Sequence, residues 1–176
     1  MTFVESEIKA RDWGQLRCGC GRSGAHLADD LLRLAQRTDD DPHGARPFDG
    51  HAFDDVVLYE PAPAIVPVAL AAIAELRVPA ARARFLDLLL SLVAGDGTAT
   101  EIAREGRDLE QEAISACQAG QWLLCAEVLS GGSGDLPTRA FEVLTVIDDD
   151  RSRLERLCRT AGDAIDHYAK PPFQDL

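Results

Sequence analysis

The chain has 176 residues, which is enough for one domain that buries its own hydrophobic core. Its net charge of −12 and its pI of about 4.6 argue against binding to nucleic acid or anionic membranes and favour basic partners. No run approaches the roughly 18 apolar residues of a membrane span, no apolar leader opens the chain, and five cysteines are an odd number for a secreted disulfide framework. We therefore predict a cytoplasmic protein.

The first third of the chain predicts short helices separated by glycine turns. We expect one or two helices over Thr2–Cys18, a turn at Cys18–Gly21, and then a helix capped by Ser23. A surface loop is predicted over residues 38–47, and another helix over Phe48–Tyr59. The side chains expected to face inward are Phe3, Ile8, Trp13, Leu16, Leu27, Leu31, Leu34 and Ala35. Phe53, Val56, Val57 and Leu58 are the apolar residues that indicate the helix over Phe48–Tyr59.

The central stretch, Ala62–Gly97, predicts two apolar helices joined by a short bend. Apolar residues from Phe85 to Val93 recur at i, i+3, i+4, i+7 and i+8, as on one face of a helix. Pro79 suits the first turn of the second helix, and Gly95 suits its end. One hairpin cannot bury both apolar arcs, so neighbouring helices are expected around it. The predicted core positions are Leu70, Ile73, Leu88, Leu89 and Leu92.

The last third predicts four more helices. They begin near Glu101, near Trp122, before Phe141 and at Asp148–Asp150, and the last ends at Pro171. We therefore expect about nine helices in a single domain over residues 1–170, a flexible loop over residues 130–134 and a flexible tail over residues 171–176. The side chains expected to face inward here are Leu109, Ala113, Ala116, Cys117, Trp122, Cys125, Phe141, Leu144, Ile147, Leu154, Leu157, Cys158, Ala161, Ile165 and Tyr168.

Several motifs together resemble a HEAT-repeat family of small actinobacterial proteins. They are Trp13-Gly-Gln-Leu16, Leu27–Ala35, Leu58-Tyr-Glu-Pro-Ala62, Ala64–Leu76 and Pro79–Leu92. Relatives carry a His-Gln-Gly-like segment before the tyrosine, where this chain has Phe-Asp-Asp-Val-Val. The resemblance implies an all-α fold, a HEAT/ARM-like α-solenoid that binds a partner. It implies no catalytic residue.

The turn at Cys18–Gly21 has the beginning of a metal site. Cys18, Cys20 and His26 supply three ligands, whereas a structural zinc site needs about four. No second Cys-x-x-Cys motif or paired histidines supply the remainder, so we interpret the turn as structural and predict no metal and no cofactor. Cys117, Cys125 and Cys158 are expected to act as small buried hydrophobes.

No enzyme motif stands out. If residues 48–59 were helical, His51 and Asp55 would share a face and a general base would be conceivable, although an exposed surface pair is the more common arrangement. The chain has no glycine-rich phosphate loop, GxSxG or HExxH motif. The arginines of residues 151–159 alternate with acids, unlike the basic groove of a DNA glycosylase. We predict no catalytic residue.

Acidic residues concentrate between residues 29 and 60. Nine acids against three arginines give this segment a charge of −6, half of the total of −12. We predict a non-enzymatic binding protein, an immunity protein or inhibitor for a basic partner such as a toxin or enzyme. The alternative is an enzyme or small-molecule-binding protein of a biosynthetic or resistance pathway, with a pocket between helices near His51, Asp54, Asp55 and Glu60. The predicted partner-binding residues are Asp29, Asp30, Phe48, His51, Phe53, Asp54, Asp55, Tyr59 and Glu60.

Overall fold

The structure, a computed structural model, describes residues 1–37, 47–98, 100–130 and 134–170. It confirms the all-α prediction, because nine α-helices account for most of these residues and the one sheet has two strands of two residues each. The helices are α1 Phe3–Lys9, α2 Ala25–Gln36, α3 Ala62–Glu75, α4 Pro79–Val93, α5 Glu101–Arg104, α6 Leu109–Gln118, α7 Gln121–Leu129, α8 Leu136–Ile147 and α9 Arg151–Ala161; the strands are β1 Phe53–Asp54 and β2 Val57–Leu58, and 3-10 turns lie at Trp13–Gln15 and Gly162–Ala164.

Helices α3 and α4 form the centre of the fold, as the sequence predicts. α4 starts with Pro79 in its first turn, and α3 continues through Pro67. α3 contacts α1, α4 and α6, while α4 also contacts α6 and α8. The two apolar arcs are therefore enclosed by helices from both ends of the chain. Outside this centre, α7 packs on α8 and α9.

The buried side chains of the helices largely follow the predicted pattern. The central core positions are buried, with Leu89 and Leu92 fully so. Cys117, Cys125 and Cys158 are also buried, as expected for small hydrophobes. None of the helices in the described parts of the chain has the length and apolar character needed to cross a bilayer.

The predicted helix over Phe48–Tyr59 is wrong. The Phe48 carbonyl oxygen accepts hydrogen bonds from the backbone N–H groups of residues 51–53, which close a turn. The chain then forms an antiparallel hairpin that pairs β1 with β2. Beside it, the Leu58 N–H donates to the Asp96 carbonyl oxygen at 2.9 Å, and the Asp96 N–H donates to the Val56 carbonyl oxygen at 2.5 Å. The loop after α4 thus supplies backbone partners that compete with a helix.

Three aromatic residues predicted to face inward are exposed. Phe3 is 53% exposed because the seven-residue α1 buries only Val4 and Ile8. Trp122 is 72% exposed because α7 turns Leu124, Cys125 and Val128 inward, and the Arg153 guanidinium lies 5.6 Å from the centre of the Trp122 ring. Tyr168, 66% exposed, lies beyond the end of α9.

Two predicted helix ends also differ from the structure. α9 ends at Ala161, ten residues before Pro171, because Gly162 takes a positive φ of 57° that stops a helix. The residue before α2 is Gly24, and Ser23 does not cap the helix. The predictions for Asp39, Asp40, Asp41 and His43, for residues 131–133 and for the tail 171–176 lie outside the described residues.

Leu89→Ala should lower the free energy of unfolding by about 2–5 kcal/mol, because it opens a cavity between helices that hold each other in place. The matched control is Leu129→Ala on α7, which should cost about 1 kcal/mol or less because Leu129 is 47% exposed. Urea unfolding followed by circular dichroism measures both. Equal losses for the two variants would contradict the placement of the core between α3 and α4.

Candidate metal centre

A tight turn brings the two cysteines of the N-terminal segment together. The Cys18 N–H donates to the Arg22 carbonyl oxygen, and the Gly21 N–H donates back to the Cys18 carbonyl oxygen, each at 2.9 Å. Gly21 has a φ of 79°, which a glycine adopts without strain. The turn places the sulfur atoms of Cys18 and Cys20 3.3 Å apart.

His26 approaches the same point from the first turn of α2. Its Nδ1 lies 3.2 Å from the carbonyl oxygen of Ser23, so Nδ1 carries the proton and donates it there. Nε2 therefore carries the lone pair of the ring and lies 3.8 Å from the sulfur of Cys18. A backbone acceptor that fixes the ring in this way is typical of histidines that bind metals.

His51 comes from the loop that precedes β1, far along the chain. Its Nδ1 lies 3.1 Å from the Cys18 sulfur and 3.1 Å from Nε2 of His26. The Gly19 N–H donates to the His51 carbonyl oxygen at 2.9 Å, which locks the loop onto the cysteine turn. A side chain at Gly19 would not fit, because its Cβ would lie 2.4 Å from the ring of Tyr59.

The four ligand atoms all lie within 4.8 Å of one another. Four of their six separations, at 3.1–3.8 Å, are close to those of a tetrahedral zinc site. A zinc ion with bonds of about 2.3 Å to sulfur and about 2.0–2.1 Å to nitrogen requires edges of about 3.3–3.8 Å. Cys18 is buried, the two histidines are half-buried and Cys20 is exposed, so the cluster lies just beneath the surface.

The two thiols differ in their tendency to ionise. A hydrogen bond from Arg22 lowers the pKa of the exposed Cys20 thiol below its usual value. Burial raises the pKa of the Cys18 thiol, and the adjacent sulfur of Cys20 adds to this effect. In the metal-free protein, Cys20 is therefore the first of the pair to become a thiolate, the form that binds metals.

Three of the four candidate ligands, Cys18, Cys20 and His26, could be identified from the sequence. The structure adds His51, which is 25 residues beyond His26. Because the segment is not helical, the proposed alignment of His51 with Asp55 does not arise, and the His51 ring faces the cluster. The sequence did contain a signal for a fourth ligand, because three ligands close together indicate that a distant histidine could complete the site. Nothing local distinguished His51 from the other two histidines, His43 and His167.

The predicted partner-binding aromatics are largely withdrawn from the surface. Phe48 is only 4% exposed and belongs to the core, while Phe53 and Tyr59 are half-buried. Tyr59 packs against the cysteine turn at Gly19. Phe48 therefore cannot be an anchor for a partner unless the loop moves.

The predicted acidic residues fall into two groups. Glu60 forms ion pairs with Arg17 at 3.3 Å and Arg107 at 2.6 Å, and Asp30 pairs with Arg33 at 2.8 Å. The remaining acids of the set are exposed: Asp29, Asp54 and Asp55. Part of the predicted negative patch is thus neutralised by arginines of this chain.

The alternative prediction of a pocket around these acids gains no support from the cleft between α3 and α6. This open cleft has a volume of about 480 Å³. The residues that line it are Pro63, Gly106, Arg107, Asp108, Gln111, Glu112 and Ser115. The set does not include His51, Asp54, Asp55 or Glu60.

Comparisons of the chain with models of protein families, with curated proteins and with solved structures found no significant match. The likeness to HEAT-repeat proteins therefore remains a proposal that rests on the motifs quoted above.

In the metal-free protein, iodoacetamide should modify Cys20 much faster than the other four cysteines. Cys20 is exposed and has a lowered pKa, whereas the others are buried. Mass spectrometry of peptides from a time course measures the labelling. Cys20→Ser should remove the fast phase of labelling. In the urea-unfolded chain, the labelling rates of the cysteines should become similar. Labelling of Cys117 as fast as Cys20 would contradict the described exposure.

Proposed function

We propose that the protein binds one zinc ion through Cys18, Cys20, His26 and His51, and that the ion has a structural role. The observation that carries the proposal is the convergence of four ligand atoms, from two distant segments, within 4.8 Å of one another. Four protein ligands leave no open position for a water or a substrate, which is the difference between structural and catalytic zinc sites. The proposed ion therefore holds the chain in place and takes no part in a reaction.

The ligand set favours zinc over other common metals. Two thiolates and two imidazoles in a tetrahedral arrangement suit zinc. Magnesium and calcium prefer oxygen ligands, and no carboxylate belongs to this cluster. The lone pair of His26 is already directed at the site by the Ser23 carbonyl oxygen, so little reorganisation is needed on binding.

The ion would add a further link between two parts of the chain that the Gly19–His51 hydrogen bond and the Arg17–Glu60 ion pair already join. Cys18, Cys20 and His26 belong to the N-terminal segment, and His51 belongs to the loop that leads into the hairpin. Metal that binds only the folded arrangement stabilises it in proportion to RT ln(1 + [Zn]/Kd). In this proposal, zinc keeps residues 47–60 in place against the cysteine turn.

The protein purified without chelator should contain one zinc ion per chain. Cys18→Ser and His51→Ala should each lose most of the zinc, because three ligands bind it far more weakly than four. The matched controls are Cys158→Ser on α9 and His167→Ala in the exposed segment after it, and both should keep the zinc. Elemental analysis measures the content, and the cobalt-substituted protein should show the visible absorption of a tetrahedral thiolate site.

A protein that contains no zinc and takes up none on titration would overturn the proposal. Equal loss of zinc in the two control variants would do the same, because it would show that the content depends on general stability. Circular dichroism of each variant reports whether the helices have formed.

A second candidate function is the binding of a basic protein by the hairpin. Asp54 and Asp55 are exposed, and Val56 beside them is 55% exposed, so two charges flank an apolar side chain at the tip. Negative charge speeds association with a basic partner, and an apolar contact contributes affinity. A toxin or enzyme with a basic surface remains the proposed partner.

The HEAT-type solenoid belongs to the same proposal. The pairs α3–α4 and α7–α8 are each consecutive helices in contact, as in helical repeats, and the contact of α4 with α8 links the pairs. Neither the repeat nor the partner is needed for the zinc proposal.

Asp54→Lys combined with Asp55→Lys should slow association with a basic partner recovered from the native host, and the effect should shrink as salt rises. The matched control reverses Asp163 and Asp166, which are also exposed but lie after α9. Surface plasmon resonance at two salt concentrations measures the association rate. If the two double variants slow association equally, the hairpin acids serve solubility only.

A further inference from the structure

The two sulfur ligands form a pair that differs from the other thiols of the described chain. Their sulfur atoms are 3.3 Å apart, and a single residue, Gly19, separates them. Cys20 is exposed, and Cys18 lies buried directly behind it. The remaining three cysteines are buried within α6, α7 and α9. A solvent-borne oxidant therefore reaches one ligand sulfur first, and a second sulfur is in position to react with the product.

We propose that oxidation joins Cys18 and Cys20 in a disulfide and thereby expels the zinc ion, so that the site acts as a redox-sensitive switch. This inference rests on the proposed zinc site. The oxidant is a hydroperoxide, of which hydrogen peroxide is the simplest.

The chemistry balances in two steps. The Cys20 sulfur attacks one oxygen of hydrogen peroxide, the O–O bond breaks, and the released hydroxide takes a proton to become water; Cys20 is now a sulfenic acid. The Cys18 sulfur then attacks the Cys20 sulfur, the S–O bond breaks, and the second hydroxide leaves as water after it takes a proton. The two thiolates lose two electrons in total, hydrogen peroxide gains them, and zinc keeps its charge while both zinc–sulfur bonds break.

The turn geometry allows the disulfide to form. A disulfide needs a sulfur–sulfur distance of about 2.05 Å and a Cα–Cα distance of about 4.4–6.8 Å. Residues two apart in a chain are at most about 7 Å apart, and a turn brings them closer. The sulfur atoms must therefore approach by about 1.3 Å from their separation of 3.3 Å, which side-chain rotation within the turn provides.

Loss of both sulfurs leaves only His26 and His51, and two imidazoles hold zinc far more weakly than the full set. The contact between the cysteine turn and residues 47–60 would then depend on the hydrogen bond from Gly19 to His51, on the adjacent Arg17–Glu60 ion pair and on packing. The switch would thus convert an oxidant signal into release of zinc and loosening of this loop.

The test begins with the zinc-loaded protein, whose metal content is measured first. Hydrogen peroxide is then added, and 4-(2-pyridylazo)resorcinol records the released zinc while mass spectrometry examines the peptide with both cysteines. We expect about one zinc ion released per chain, with a mass loss of about 2 Da in that peptide. Dithiothreitol and added zinc should restore the loaded state.

The matched variant is Cys20→His, which keeps a fourth ligand but cannot form the disulfide. It should bind zinc and release it at least about tenfold more slowly at the same peroxide concentration. Cys158→Ser should release zinc as the wild type does. If Cys20→His fails to load, the peptide mass of the oxidised wild type still decides the question.

Three outcomes would overturn the switch: zinc that stays bound after peroxide treatment, release that accompanies oxidation of another cysteine, or Cys20 oxidised to sulfinic acid without a disulfide. These outcomes are distinct from failure of the zinc proposal. A chain with no zinc before peroxide is added, and with none taken up, fails the earlier proposal, whereas a loaded chain that ignores peroxide fails only the switch.

Discussion

The fold depends on the burial of α3 and α4 against each other and against the helices around them. These two helices carry apolar side chains over most of their circumference, and neither can exist in water with that surface exposed. α1, α6 and α8 cover them, so residues from the start and the end of the chain share one core. Residues 47–60, which carry His51 of the candidate site, lead into α3. The loop after α4 pairs with β2 of the same segment.

Helices with a clear apolar period could be predicted from the sequence because their signal is local. α3, α4 and α8 lie where the spacing of Leu, Ile and Phe placed them, whereas the single helix predicted from Glu101 is divided into α5 and α6. The hairpin at Phe53–Leu58 could not, because its backbone partner Asp96 lies far along the chain. Trp122 illustrates a different limit: a large aromatic side chain favours burial in general, but the helix packing turned another face of α7 inward.

The candidate site also contains both residues that the sequence indicates and one that it does not. Cys18, Cys20 and His26 are neighbours in sequence, and their spacing alone raised the question of a metal. The fourth ligand, His51, is supplied by tertiary structure: the backbone bond from Gly19 and the packing of Tyr59 bring its loop to the turn. Counting ligands along the sequence therefore gives a lower bound, because the chain returns to the same place after 25 residues.

In the proposed zinc-binding chain, the spacing of the four ligands would also set an order of events during folding. Three of them lie within nine residues, so a nascent chain would capture zinc with them soon after they leave the ribosome, before α3 and α4 exist. Closing the longer loop to His51 costs more chain entropy and comes later. The metal would then serve as an early tether that shortens the search of residues 47–60 for their place, and its influence would appear in the refolding rate as well as in the final stability.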